Sequence, residues 1–103
     1  MKTRDCCLTL MLPKMLEETI IGHLLEHPEW ISGFNAGDVS GHGEAGVAHS
    51  AGELVRGASQ RVRIQTVVNC EDATALIAYL RARVANPEVA YWLTPVLEFG
   101  RFE

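Results

Sequence analysis

The stretch that decides the fold runs from Gly33 to Arg61, GFNAGDVSGHGEAGVAHSAGELVRGASQR. It holds seven of the nine glycines and two of the four histidines, with neither lysine nor proline. Its first residues, Gly33 to Ser40, read as a strand of weak alternation. The chain then turns to small and polar residues until a second strand-like run begins near Gln60. An irregular segment of this length in a small domain either binds something or is disordered. The residues 41–59 are therefore expected to be a flexible functional loop between two strands.

Outward from the loop, both flanks read as scaffold. On the C-terminal side, Arg61 to Asn69 alternates, with Val62, Ile64 and Thr66 on one face and Arg61, Arg63 and Gln65 on the other. That is a half-buried strand whose charged face meets solvent, a partner subunit or an acidic ligand. Asn69 is placed to cap a helix, with Glu71 and Asp72 suiting its N-terminal dipole. The helix Ala73 to Val84 carries Ala73, Leu76, Ile77, Leu80 and Val84 on one stripe, and Asn86-Pro87 stops it. Val89 to Thr94 is a fourth strand, interrupted by Pro95, and Val96 to Phe102 reads as a short edge strand. On the N-terminal side, Arg4 to Leu12 is a buried first strand bounded by Pro13. A helix follows from Lys14 to about His27, with Leu16, Ile20 and Leu24 as its stripe and Ile21 and Leu25 widening it. Pro28 ends it.

The order is β-α-β-loop-β-α-β with a short C-terminal edge strand. This is an α+β, ferredoxin-like arrangement, with both helices on one face of an antiparallel sheet. The other face has no helix left to cover it. Only the loop, the tail or other subunits can do so, which points to an oligomer.

Composition bounds the function. The 103 residues make one domain, of ordinary hydrophobic content (48%) and charged fraction (21%). A net charge of −4 gives no global attraction to nucleic acid or anionic lipid. The N-terminal MKTRDCC is not followed by a long apolar core, so no signal peptide is expected. No apolar run approaches the roughly 20 residues of a membrane span. The chain is expected to be cytoplasmic, without direct membrane insertion. The three cysteines are expected to be free thiols in a reducing compartment.

The details meet a known family. GFNAGDVSGHGE resembles the second strand and T-loop start of PII signal-transduction proteins, in the pattern Phe34, Val39, Gly41, Gly43. RVRIQTVVNCEDATALIAYLRARV resembles the PII third strand and second helix. YWLTPVLEFGR resembles the last strand and tail of PII-like and CutA-type proteins. The resemblance covers nearly the whole chain and points to the DUF3240 type of PII-like protein, often encoded beside heavy-metal efflux systems. It implies a homotrimer with outward loops, ligand clefts between subunits, and a partner protein that the loop addresses, of the metal-efflux transporter kind. It carries a ligand-binding role to Gly41 and Gly43. One departure matters. Nucleotide-binding PII proteins have a Gly-rich B-loop before the last strand, but Val84 to Tyr91 reads VANPEVAY. A phosphate-cradling nest is absent from that segment, which counts against adenine nucleotide as a cofactor. Arg61, Arg63 and Arg101 are the remaining phosphate partners.

The chemistry-bearing residues leave alternatives open. His42, Glu44 and His49 are suited to a divalent transition metal, or are solvated loop residues. Arg56, Arg61 and Arg63 flank the loop's return and either hold an anion or form a solvated strand face. His23 and His27, four apart on a helix, chelate a metal or are structural. Cys70 near a helix N-terminus has a lowered pKa or is inert. Tyr91 and Trp92 point to opposite faces of the last strand. No catalytic constellation emerges, and the chain reads as a non-enzyme. The leading reading is a trimeric PII-like regulator of small effector or metal. The alternatives are a CutA-like metal-binding protein and a structural subunit.

Overall fold

The computed structural model describes residues 2–42 and 59–103. Strand β1 (Cys6–Pro13) leads through a 3-10 turn (Lys14–Leu16) into helix α1 (Glu17–Leu25). Strand β2 (Asn35–Gly41) and strand β3 (Ser59–Val68) flank the loop. Helix α2 (Cys70–Arg83) and strand β4 (Ala90–Pro95) complete the chain. The sheet order is β2-β3-β1-β4, with every neighbouring pair antiparallel. This is the α+β, ferredoxin-like arrangement expected from the sequence. The expected edge strand over Val96–Phe102 does not form: that segment is irregular and largely exposed. Pro95 has no N–H to carry a ladder forward. Only the backbone bond from Val96 N to the Asp5 carbonyl (3.1 Å) extends the β1–β4 pairing.

The period-2 and period-3.6 patterns explain the core. Cys6, Leu8, Leu10 and Leu12 of β1 and Val62, Ile64 and Val68 of β3 are buried, and Thr66 with them. Alternate residues of a strand share a face, so this row is the floor under the helices. Ile20 and Leu24 of α1 and Ala73, Leu76, Ile77 and Leu80 of α2 pack onto it. Leu16 and Ile21 lie partly buried at its margin. Leu25, expected to widen the stripe, is 69% exposed. It sits one residue past Leu24, about 100° round the helix, and so points away from the sheet. Helix α2 begins as its sequence dictates. The Asn69 side chain accepts a hydrogen bond from Glu71 N at 3.0 Å. Glu71 and Asp72 occupy the first turn, Arg81 and Arg83 the last.

The helix layer is tied by an aromatic cluster. His27 stacks on Trp30 (centroids 4.5 Å) and meets Tyr79 edge-on at 4.1 Å. Arg83 lies over the Tyr79 ring at 3.6 Å. The His27 imidazole also hydrogen-bonds the Glu29 carboxylate at 2.8 Å. Of the two readings of the i, i+4 histidines, this packing matches the structural one. Among the described residues no group of three His, Cys, Asp or Glu side chains is placed to hold a metal.

The core and the cap should differ in weight. Leu76→Ala empties a fully buried site and should cost about 2–5 kcal/mol, whereas Asn69→Ala removes a cap and should cost about 1 kcal/mol. Urea unfolding followed by circular dichroism gives that ranking directly. The His27–Glu29 pair has a pH signature. The hydrogen bond from His27 holds the Glu29 carboxyl below its ordinary value of 4.5. A depressed folded pKa adds stability above the unfolded value, and that stability is lost as pH falls through the folded one. The melting-temperature gap between wild type and Glu29→Gln should be present near neutral pH and close in acid below that value. A gap that widens in acid would refute the assignment.

Candidate functional site at the loop end of the sheet

The strand register fixes which segments meet. Gly41 pairs with Ser59, so β2 and β3 open into the loop at one end of the sheet. Pro13 pairs with Arg61, so β1 enters its 3-10 turn at the same end. Met11 pairs with Ala90, so the turn 84–89 delivers β4 there as well. The start of the loop, the β1–α1 junction and the α2–β4 turn thus converge, although they lie far apart in sequence.

Arg61 links two of them. Cross-strand partners share a face, so Arg61 lies on the side of the sheet that carries no helix. Its side chain donates from Nη1 to the Glu88 carbonyl at 3.1 Å. The residue is only 5% exposed. A guanidinium removed from water to this degree needs polar partners, and the Glu88 carbonyl supplies one. Glu88 N in turn bonds the Asn86 side-chain oxygen at 2.8 Å, which fixes the turn. Neither a solvated strand face nor a freely offered cation describes Arg61.

Beside it, Lys14 bridges two elements. Its ammonium lies 2.8 Å from Asp38 of β2 and 2.8 Å from Glu17 of α1. The hydrogen bond to Asp38, then that to Glu17, raises the Lys14 pKa above its ordinary value, so it stays charged through neutral pH. Lys14, Asp38, Val39, Ser40, Gln60 and Arg61 enclose a cleft of about 280 Å³. Lys14 as a site residue was missed by sequence reasoning. Its signal was available, because a lysine after the strand-ending Pro13 must sit where β1 leaves the sheet.

The other expected site residues divide. Gly41 closes β2 at this end, and His42 follows it, exposed. Arg63 lies on the same face as Arg61, two residues along, and is exposed. Arg101 is elsewhere: its guanidinium is 5.9 Å from the Phe99 ring, in the tail beyond Pro95. Pro95 pairs with Cys6 at the opposite end of β1, so one chain does not bring Arg101 to Arg61. Gly43, Glu44, His49 and Arg56 lie outside the described residues. Tyr91 and Trp92 take opposite faces as expected, Tyr91 opposite Leu10 and Trp92 opposite Thr9.

Comparison with known proteins agrees with the fold. The sequence matches the family described as a protein of unknown function (DUF3240) over residues 2–103. The chain belongs to the DUF3240 family. A crystal structure of a DUF3240 protein from Shewanella baltica superposes with a TM-score of 0.76 at 19% identity, covering 98% of this chain and 99% of that one. A nitrogen regulatory PII-like protein, CPII from Thiomonas intermedia, bound to ADP, AMP and bicarbonate, gives a TM-score of 0.70 at 15% identity, with 96% of each chain covered. A putative PII-like signalling protein from Thermus thermophilus gives 0.62 at 17% identity, covering 89% of this chain and 86% of that one. At these identities the likeness is one of fold. No curated protein matches the chain in sequence. Among the described residues no helix is long and apolar enough to cross a membrane.

Far from this site, the structure decides between the two readings of Cys70. Its backbone N–H donates to Asp5 Oδ1 at 2.9 Å, so a carboxylate already occupies the start of α2. The neighbouring Cys6 thiol first, then burial and the Asp5 charge, push the Cys70 thiol up to about 11. This direction is opposite to the lowering that a helix N-terminus by itself would give. At pH 8, in a Cys7→Ser background, iodoacetamide should alkylate Cys70 roughly two orders of magnitude more slowly than an ordinary free thiol. Mass-spectrometric rates matching those of a model thiol would refute this.

Proposed function

We propose that this DUF3240 protein is an oligomeric PII-like regulatory subunit. In this reading its loop end takes a small anionic effector, and the loop conveys occupancy to a partner protein. The observation that carries the reading is the buried Arg61–Glu88 bond, which couples the loop's return strand to the α2–β4 turn. An effector that displaces or strengthens this bond changes both segments together. The bond also stands where a nucleotide-type B-loop is lacking, since the turn 84–89 has neither glycine nor lysine. The cleft sets the Asp38 carboxylate beside Lys14 and Arg61, so a small anion such as bicarbonate or a mononucleotide would enter by taking the place of Asp38 on Lys14. The CPII protein, bound to ADP, AMP and bicarbonate, supports that class of ligand.

The oligomer reading rests on the helix-free face. Trp92 and Thr94 of β4, Cys7 and Met11 of β1, and Val67 of β3 all lie on it. A face of this composition is covered by other subunits, and the PII likeness makes the trimer the preferred assembly. The partner preferred on family resemblance is a metal-efflux transporter. His42 with Glu44 and His49 would then provide a second, metal-responsive input at the loop.

The test is isothermal titration of metal-stripped protein with bicarbonate, AMP and ADP, then with Zn(II), Cu(II), Co(II) and Ni(II), beside light scattering. Saturable anion binding is expected, weakened at least roughly tenfold, about 1.4 kcal/mol, in both Arg61→Ala and Lys14→Gln. Circular dichroism confirms that each variant is folded. Anion binding that survives both variants would move the site elsewhere. A monomer by light scattering would remove the inter-subunit cleft.

A further inference from the structure

Besides the cleft around Lys14 and Arg61, the chain has a second cleft, of about 410 Å³, between the helices and the start of β4, on the helix side of the sheet's loop end. Leu10, Ile20, Ile77, Leu80, Val84 and Tyr91 line it with apolar surface, and Arg81 stands among them. A cleft of this size falls within the range of about 300–1,000 Å³ that holds organic groups. The chain also carries apolar side chains with nowhere to go. Among the described residues, six of the eight large hydrophobic side chains left exposed fall between Tyr91 and Phe102. Leu97 is 101% exposed and Phe102 110%. Single exposed hydrophobics are ordinary, but a contiguous group marks an interaction site.

The tail does not fill its own chain's cleft. Val96 N bonds the Asp5 carbonyl, so the tail continues along the N-terminal side of β1. Phe99 confirms the direction, with the Arg4 guanidinium 4.7 Å from its ring centroid. The cleft is at Leu10 and Tyr91, the other way along β1. Charge points to the same mismatch within one chain. Arg81 in the cleft and Glu98 and Glu103 in the tail have no ion pair among the described residues. The seven residues 96–102 reach at most about 23 Å when extended, enough to cross to a neighbour packed beside the β4 edge, where the strand has no partner among the described residues.

We propose that the tail Val96–Glu103 of one copy seats in the helix-side cleft of a second copy, with Leu97 and Phe102 as apolar anchors and Arg81 pairing with the tail carboxylates. The seat rests on the oligomer reading above and adds to it: the tail links subunits on the helix side, away from the helix-free sheet face. A single chain leaves both halves unsatisfied, and two copies complete each other.

The experiment replaces Phe102 with the photo-crosslinking residue p-benzoylphenylalanine. Residue 102 is fully exposed, so folding is unaffected. Irradiation should give a two-chain band on a denaturing gel, with the adduct mapped by peptide mass spectrometry to residues 77–91. Arg81→Glu should reduce that yield several-fold, and Glu98→Arg with Glu103→Arg in the same chain should restore it. An adduct elsewhere, or none between chains while light scattering still shows an oligomer, overturns the seat alone. A monomer by light scattering with no inter-chain adduct overturns both the seat and the oligomer reading.

Discussion

Strand β1 is hydrogen-bonded on both edges, to β3 and to β4, and every residue of its helix-facing row is buried. Register there is strongly specified. A slip of one residue would send Leu8, Leu10 and Leu12 to the helix-free face and Met11 and Pro13 into the core. Both helices pack on this row and the one beside it on β3. Where the loop, the turn and the tail lie is a consequence of that fixed register.

The register gathers three segments at one end of the sheet. The pairs Pro13–Arg61, Gly41–Ser59 and Met11–Ala90 bring three segments together. A buried guanidinium then ties two of them through a backbone carbonyl. Such a group is costly to strand without its partner, so the Arg61–Glu88 bond resists separation of loop and turn. Lys14 adds a second bridge, from the β1–α1 junction to β2 and α1, in a more exposed setting where ion pairs contribute little by themselves. The buried bond sets the geometry and the exposed one adds charge to the cleft.

The opposite end of β1 has a different character. There the tail leaves the sheet, Arg4 lies over the Phe99 ring, and the start of α2 is occupied by Asp5. Exposed apolar groups and the tail carboxylates gather there, beside a smaller cleft of about 150 Å³ lined by Arg4, Trp30, Val68 and Asp72.

Much of this was legible in the chain itself. Alternation in Val62, Ile64 and Thr66, the stripe Ala73, Leu76, Ile77 and Leu80, and the punctuation by Pro13, Pro28 and Pro87 determined the elements, because burial on one face imposes period 2 on strands and 3.6 on helices. The order of those elements, with the long loop between the second and third strands, determined the ferredoxin-like class. The ends of the flanking strands were legible to within a residue: Ser40 and Gln60 were expected, and the strands run to Gly41 and from Ser59. Tertiary structure alone decided that Arg61 is buried against Glu88, that Lys14 joins it, that Arg101 lies at the far end, and that Leu25 faces outward. It also decided that Cys70 sits beside Cys6 and Asp5, which reverses the effect of a helix N-terminus on its thiol. These outcomes depend on which residues stand opposite one another across β1, and strand register is a long-range property that local sequence periodicity does not contain.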